Sequence, residues 1–357
     1  MVFWRRWLGG SLGGLLVIAC GGTPQPAPTP VVPSSTEELG VFQSQRAWAD
    51  LEAIVGAGSR RPGSAGAAAA RAYIKQALRG VGLTAEERVT TAALEGLNAF
   101  ELTHLSVTIP GVSPDRFVLL SAYDSDHFAE FENRGVNLGA SGAALLLEMA
   151  RVLTDIEPAY TVQLLFVEGD GRLGIGTTNA TIERRGLGSE LLAQQMAEAD
   201  ELEGVRLLIA FRGVCDADLS IARDLLSHRH YREEFWRVAR DLGHGDVFQR
   251  AALFQSVEAG HRAFVKGGLR AVLSVSDTAY GGSEPPGLYA NNAEDVLEHC
   301  SSESLEIVGS VTLKALERIG ARLDRIDRFT TRPLATPVAE ADLSPGPSST
   351  APAEGGE

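Results

Sequence analysis

Three short apolar runs constrain this chain more than any other feature: residues 116–122 (RFVLLSA), 161–167 (TVQLLFV) and 205–211 (VRLLIAF). Each has the length of a strand and the unbroken apolar character of one buried on both faces. Between them, over 140–153 and 187–199, apolar residues recur at helical spacing. Strands separated by helical crossovers imply parallel pairing, with helices on both faces of the sheet. The same periodicities predict helices over 45–57, 64–81, 230–242, 259–266 and 302–323. They also predict antiparallel strands over 88–91 and 100–109 and a final buried strand over 270–275. The expected fold class is α/β, a three-layer α/β/α arrangement around a mainly parallel mixed central sheet, without internal repeats.

The ends of the chain read differently. Arg5 and Arg6 precede an apolar run over 8–19, too short for the roughly 20 residues a membrane-spanning helix needs. The pattern fits an export signal. Val17, Ile18 and Ala19 lead into Cys20, resembling the lipobox of bacterial lipoproteins, in which Cys20 is the lipid-attachment residue. The expected location is therefore the cell envelope, outside the cytoplasm, with a membrane as partner through that lipid. Residues 21–36 are Pro-rich and predict an extended linker, and 332–357 have the same character and predict a disordered tail. The folded unit is expected over 37–331. A net charge of −14 with no basic stripe argues against nucleic acid as partner. Cys215 and Cys300 remain once Cys20 is set aside, and their spacing alone leaves their pairing open.

In sheets of this kind ligands bind beyond the carboxyl ends of the strands. The residues there are Asp124, Asp126 and His127 after the first run, Glu168 and Asp170 after the second, Arg212 and Gly213 after the third, and Asp277 after the last.

These segments resemble the zinc-dependent aminopeptidases and glutaminyl cyclases, metallopeptidase family twenty-eight. Arg60-Arg61-Pro62-Gly63-Ser64 is similar to the family's R-x-x-G-S, and the strand ending at Ala122-Tyr123-Asp124-Ser125 to its A-H-x-D-S. Residues 135–142 (GVNLGASG), followed by Leu146-Leu147-Glu148, resemble G-A-N-D-x-x-S-G and its helix. Glu168-Gly169-Asp170-Gly171 stands where D-G-E-E is expected, Gly188-Ser189 resembles the cyclase-like G-S-x-x-L-A, and His261 lies in the D-H-x-x-F segment. The resemblance implies the zinc-aminopeptidase-like (phosphorylase/hydrolase-like) fold.

The resemblance also implies a zinc site, which the residues contradict. Family ligand positions fall on Ala122, Leu138, Gly171, Ala210 and Asn291 (Ala290 in a shifted register), and the Asp before His261 is Gly260. Only Asp170, at the general-base position, retains an acid. Leu, Gly and Ala coordinate nothing. Two readings follow. In one, the domain is inactive, carries no cofactor, and binds a peptide or protein ligand. In the other, a relocated zinc site around Asp124, Asp126, His127, Glu168 and Asp170 supports aminopeptidase or glutaminyl-cyclase-like chemistry. A plainer account of these acids has Asp124 capping backbone amides and the others facing water. Asn291 and Asp277 complete the pocket candidates. His299 beside Cys300 lacks an orienting third group, and Ser141 reads as a helix start.

Overall fold

A computed structural model describes residues 40–94, 99–177, 180–248 and 257–331. Cys20, the export segment, the Pro-rich linker and the tail all lie outside the described residues. In chain order the elements are α1 (Ser44–Gly56), α2 (Ala65–Gly80), β1 (Glu86–Ala92), β2 (Phe100–Ile109), β3 (Ser113–Ala122), α3 (Val136–Gly139), α4 (Ser141–Asp155) and β4 (Tyr160–Val167). There follow β5 (Leu173–Thr177), β6 (Ala180–Arg184), α5 (Leu187–Glu198), β7 (Val205–Arg212), α6 (Arg229–Asp241), α7 (His261–Lys266), β8 (Val272–Ser276) and α8 (Ser302–Thr331).

Six strands form the central sheet in the order β1-β2-β4-β3-β7-β8. The three apolar runs are its adjacent centre: β3 pairs in parallel with β4 and with β7, and β7 with β8. β1 and β2 add an antiparallel edge. The mixed, mainly parallel α/β sheet expected from the sequence is therefore present.

Register explains the layering. Leu164, Leu119, Ile209 and Leu273 lie side by side across four strands. They belong to the larger core, shared with residues of α1, α2, α4, α6 and α8. One residue further along, Leu165, Leu120 and Ala210 point to the opposite face, into a second core with Leu192 and Met196 of α5 and Phe264 of α7. Alternate residues of one strand thus serve two helical layers, which is why these strands carry no polar alternation.

Buried charge ties the larger layer together. Glu148 of α4 accepts from Arg46 of α1 at 2.6 Å, while Arg151 binds Asp50 at 2.5 Å. Removing one partner of such a pair strands the other in the interior, at about 3–5 kcal/mol. Ser64 caps α2 by accepting from the Ala67 amide at 3.1 Å. Cys215 and Cys300 form a disulfide, so the pairing left open by the sequence is made and Cys300 has no thiol to act as nucleophile. The β5–β6 hairpin is an element the sequence pattern did not predict. No helix among the described residues is long and apolar enough to cross a membrane.

Candidate functional site

The carboxyl ends of β3, β4, β7 and β8 converge on one end of the sheet, and the expected acids are there, each already engaged. Asp124 accepts the Gly171 amide through Oδ2 at 2.9 Å, while its Oδ1 is buried without a hydrogen-bond partner among the described residues. Burial, then the nearby Asp170 carboxylate, pushes the Asp124 carboxyl up to about 8. Glu168 accepts from Arg71 at 2.9 Å and from the Thr103 amide of β2 at 2.7 Å.

Asp170 accepts both the amide (2.7 Å) and the hydroxyl (2.5 Å) of Ser189. Ser189 lies in the first turn of α5, so the residue at the general-base position acts as a helix cap. Asp277 accepts the amides of Ser220 and Ala279, each at 2.8 Å, and burial pushes it up to about 7. The His127 amide donates to the Arg172 carbonyl and its own carbonyl accepts from the Arg172 guanidinium, while partial burial with the charges of Arg61 and Arg172 holds its imidazole below the ordinary range.

The expectation that Asp124 caps an amide fits this geometry. The companion expectation, that the other acids face water, does not: Asp126, Glu168 and Asp170 are all buried. A carboxylate leaves water only where amides, hydroxyls or guanidinium groups replace its hydration, and each of these has such partners.

The positions at which the resemblance implies metal ligands are occupied by other contacts. Ala210 is fully buried in the core beneath α5 and α7. Gly171 is hemmed in, since a Cβ there would stand 2.9 Å from Asp124 Oδ2. Leu138 offers its carbonyl to Arg212 at 3.2 Å. Asn291, with a positive φ of 62°, accepts from Arg185 Nη2 at 2.5 Å, and the same guanidinium donates through Nη1 to Asp126 at 2.6 Å. That ion pair holds Asp126 below the usual carboxylate range despite its burial.

Sequence reasoning missed Arg185, which follows the unforeseen hairpin, and Asp295. Asp295 accepts the amides of Asn137 and, more weakly, Leu138, joining α3 to the loop that carries Asn291. Its signal was available as the closing acid of H-T-x-x-D, four residues after Asn291. Arg60 is fully buried and clamps the loops after β3 and before α3 through the carbonyls of Tyr123, Arg134 and Gly135.

These residues do not fit zinc. A zinc site draws several N, S or O donors toward one point. Here Asp170 engages Ser189 through both oxygens, Asp126 faces a guanidinium, and of these acids only Asp124 Oδ1 and Asp126 Oδ2 lack a hydrogen-bond partner among the described residues. Among the described residues no group of His, Cys, Asp or Glu side chains is arranged to hold a metal ion.

What the strand ends do enclose is a cavity of about 710 Å³. Of the residues named from the sequence, Ala122, Asp170, Ser189, Arg212, Gly260 and Asn291 line it. Asp124, Asp126, His127, Glu168 and Asp277 lie outside its walls.

The family model described as Peptidase family M28 matches residues 105–316. Among solved structures, the chain is similar to a glutaminyl cyclase from an Acidobacteriales bacterium, with 26% identity and a TM-score of 0.71 over 81% of this chain and 99% of that one. A Zn-dependent exopeptidase from Parabacteroides distasonis shares the fold at 20% identity and a TM-score of 0.66, covering 80% and 99%. A leucine aminopeptidase precursor from Bacteroides thetaiotaomicron does so at 17% identity and a TM-score of 0.65, covering 80% and 98%. Among curated proteins none matches significantly.

Proposed function

The chain belongs to peptidase family M28, and from that premise we propose that it is a non-catalytic member, a ligand-binding lipoprotein held at the cell envelope by a lipid on Cys20. One contact carries the reading: Arg185 bridges Asp126 and Asn291, the latter at the position where the resemblance places a closing histidine ligand. A guanidinium fixed between those side chains supplies positive charge there without a metal. It therefore favours a chain whose scaffold outlived its chemistry, since sites are grafted onto folds and can be lost separately. The disulfide between Cys215 and Cys300 supports export, because such bonds persist in oxidising compartments.

The orphaned oxygens of Asp124 and Asp126 favour the other reading, a relocated zinc site serving aminopeptidase or glutaminyl-cyclase-like chemistry. Metal content separates the two. The full chain, purified in detergent, equilibrated with zinc and desalted, is expected to retain none and to release no N-terminal residues. Near-stoichiometric zinc, lost in an Asp124→Ala, Asp126→Ala double variant, would overturn the proposal. The anchor has its own test: Cys20→Ala is expected to move the chain from the membrane fraction to the soluble one.

A further inference from the structure

The cavity at the strand ends is charged against the sense of the chain. Overall the protein is strongly acidic, at −14. Yet the side chains lining this cavity include the basic Arg172, Arg184, Arg185, Arg212, Arg262 and Lys266 against the acidic Asp170, Glu190 and Glu258.

The acids do not cancel the excess. Glu190 is shared between Arg184 at 2.7 Å and Lys266 at 4.0 Å, and Glu258 reaches Arg262 only at 3.9 Å. Asp170 is tied to Ser189. Arg212 donates to a neutral group, the Leu138 carbonyl. Asp126, behind the wall, neutralises Arg185, and Asp170 keeps its charge beside Arg212, so six cations face four acids and an excess of two remains.

Beneath the basic groups the floor is apolar. Leu120, Ala122 and Phe211 come from the ends of β3 and β7, and Ala259 and Ala263 from the neighbourhood of α7. Gly260 keeps this wall bare. A Cβ there would stand 2.5 Å from both Leu120 Cδ2 and Ser189 Oγ and 3.1 Å from Asp170 Oδ2, so an aspartate at this position would have to displace the wall side chains and would add a negative charge beside Asp170. The volume suits a small organic molecule. Guanidinium groups match planar or tetrahedral oxyanions through paired N–H donors.

We infer that this cavity is a binding site for a small organic oxyanion, a carboxylate or phosphate carried on a short apolar body. The inference rests on the reading above, in which guanidinium groups rather than zinc supply the positive charge.

The test is calorimetric titration of the full chain in detergent, stripped of metal beforehand with the neutral chelator 1,10-phenanthroline and exchanged into metal-free buffer. The probes are N-acetyl-L-phenylalanine, phenyl phosphate, and N-acetyl-L-phenylalaninamide, which keeps the body of the first and lacks its charge. At least one anion is expected to bind saturably, with the amide weaker by about ten-fold or more. Arg212→Gln is expected to weaken the anion by a similar factor. Because Arg212 also holds α3 through the Leu138 carbonyl, an Arg262→Gln, Lys266→Gln double variant at the exposed rim is expected to weaken it without altering the fold. Whichever anion binds more tightly identifies the carboxylate or the phosphate source. No saturable anion binding, equal affinity for the amide, or indifference to both sets of variants overturns the inference and leaves the zinc-free reading standing. Anion binding that appears only once zinc is added overturns both.

Discussion

Arg185 Nη2 lies 2.5 Å from Asn291 Oδ1, while Nη1 of the same guanidinium lies 2.6 Å from Asp126. Asp126 is 4% exposed at its side chain, so the pair is sealed on the acid's side and open on the arginine's. Arg185→Gln removes the charge that lets Asp126 stay ionised in the interior. A loss of about 1–3 kcal/mol is expected at pH 7, the scale of a buried polar group deprived of its partner. Since Arg185 depresses the Asp126 carboxyl, the pair's contribution is present above the unfolded-state value of 3.8 and disappears as pH falls through the lower folded value. Urea unfolding at pH 7 and at pH 3 checks the sign, and a penalty as large at pH 3 as at pH 7 would refute the ion-pair account.

Asp170 presents a choice between a catalytic remnant and a structural cap. Its oxygens meet the amide and hydroxyl of Ser189 in the first turn of α5. Asp170→Ala is expected to cost about 1–2 kcal/mol, as cap deletions do, and Ser189→Ala, which keeps the amide contact, to cost less. If Asp170→Ala instead left stability untouched while abolishing a measurable turnover, the cap would be incidental.

Asp124 sets a pH dependence of the opposite sense to that of Asp126. Burial first, then the charge of Asp170, lifts its carboxyl from 3.8 to about 8. The folded protein therefore holds a proton that the unfolded chain releases across that interval, and stability falls as pH rises from about 4 to 8. Asp277, pushed up to about 7, and Asp295, pushed up to about 6, act in the same direction. Asp124→Asn keeps an oxygen for the Gly171 amide and carries no titrating proton. Urea midpoints at pH 5 and pH 9 should lie closer together in that variant than in the parent. Equal spacing in the two proteins would show that the buried carboxyl is ionised throughout.

The strands β3, β4 and β7 were legible in the sequence because burial on both faces leaves an unbroken apolar run, as in Leu119-Leu120 and Leu164-Leu165. Helix α8 was under-read at its end, where Asp324, Arg325 and Asp327 dilute the apolar stripe although the helix continues to Thr331. The hairpin β5–β6 escaped because Gly174 and Gly176 break any apolar alternation. The acids were found because acids at strand ends are conspicuous. Their partners were not, since Arg185 lies 59 residues from Asp126 and 106 from Asn291, and local pattern carries no record of either contact. For the same reason the basic lining of the cavity gave no stripe. Its members come from separate segments at the ends of β6, β7 and α7 and the loop before β5.

The disulfide offers a test independent of the site. Cys215 and Cys300 are 85 residues apart in sequence, and closing a loop of that size is worth about 4–5 kcal/mol in the chain-entropy account. The full chain produced in an oxidising compartment is expected to lose much of that stability on reduction. A Cys215→Ala, Cys300→Ala variant should show the same lowered urea midpoint and no further response to reductant. A parent protein whose midpoint ignores reductant would show that the two thiols are not joined.

Restoring donor side chains one for one tests how far the scaffold has closed over the place where the resemblance puts a metal. The variant Leu138→Asp, Gly171→Glu, Asn291→His puts two carboxylates and an imidazole at three of the five positions where the resemblance implies ligands. It does not supply their space. A Cβ at residue 171 would stand 2.9 Å from Asp124 Oδ2 and 3.1 Å from the Ser125 carbonyl carbon and oxygen, so either the acid or the backbone must move. At residue 291 the new imidazole would face the guanidinium that now holds Asn291. The positive charge of Arg185 also opposes a divalent cation at short range, in surroundings where charges are poorly screened. The triple variant is therefore expected to be less stable than its parent and to retain no stoichiometric zinc after desalting, as measured by metal analysis alongside thermal unfolding. One zinc per chain in that variant would mean that the ligand geometry survived intact and that only the donor atoms had been exchanged.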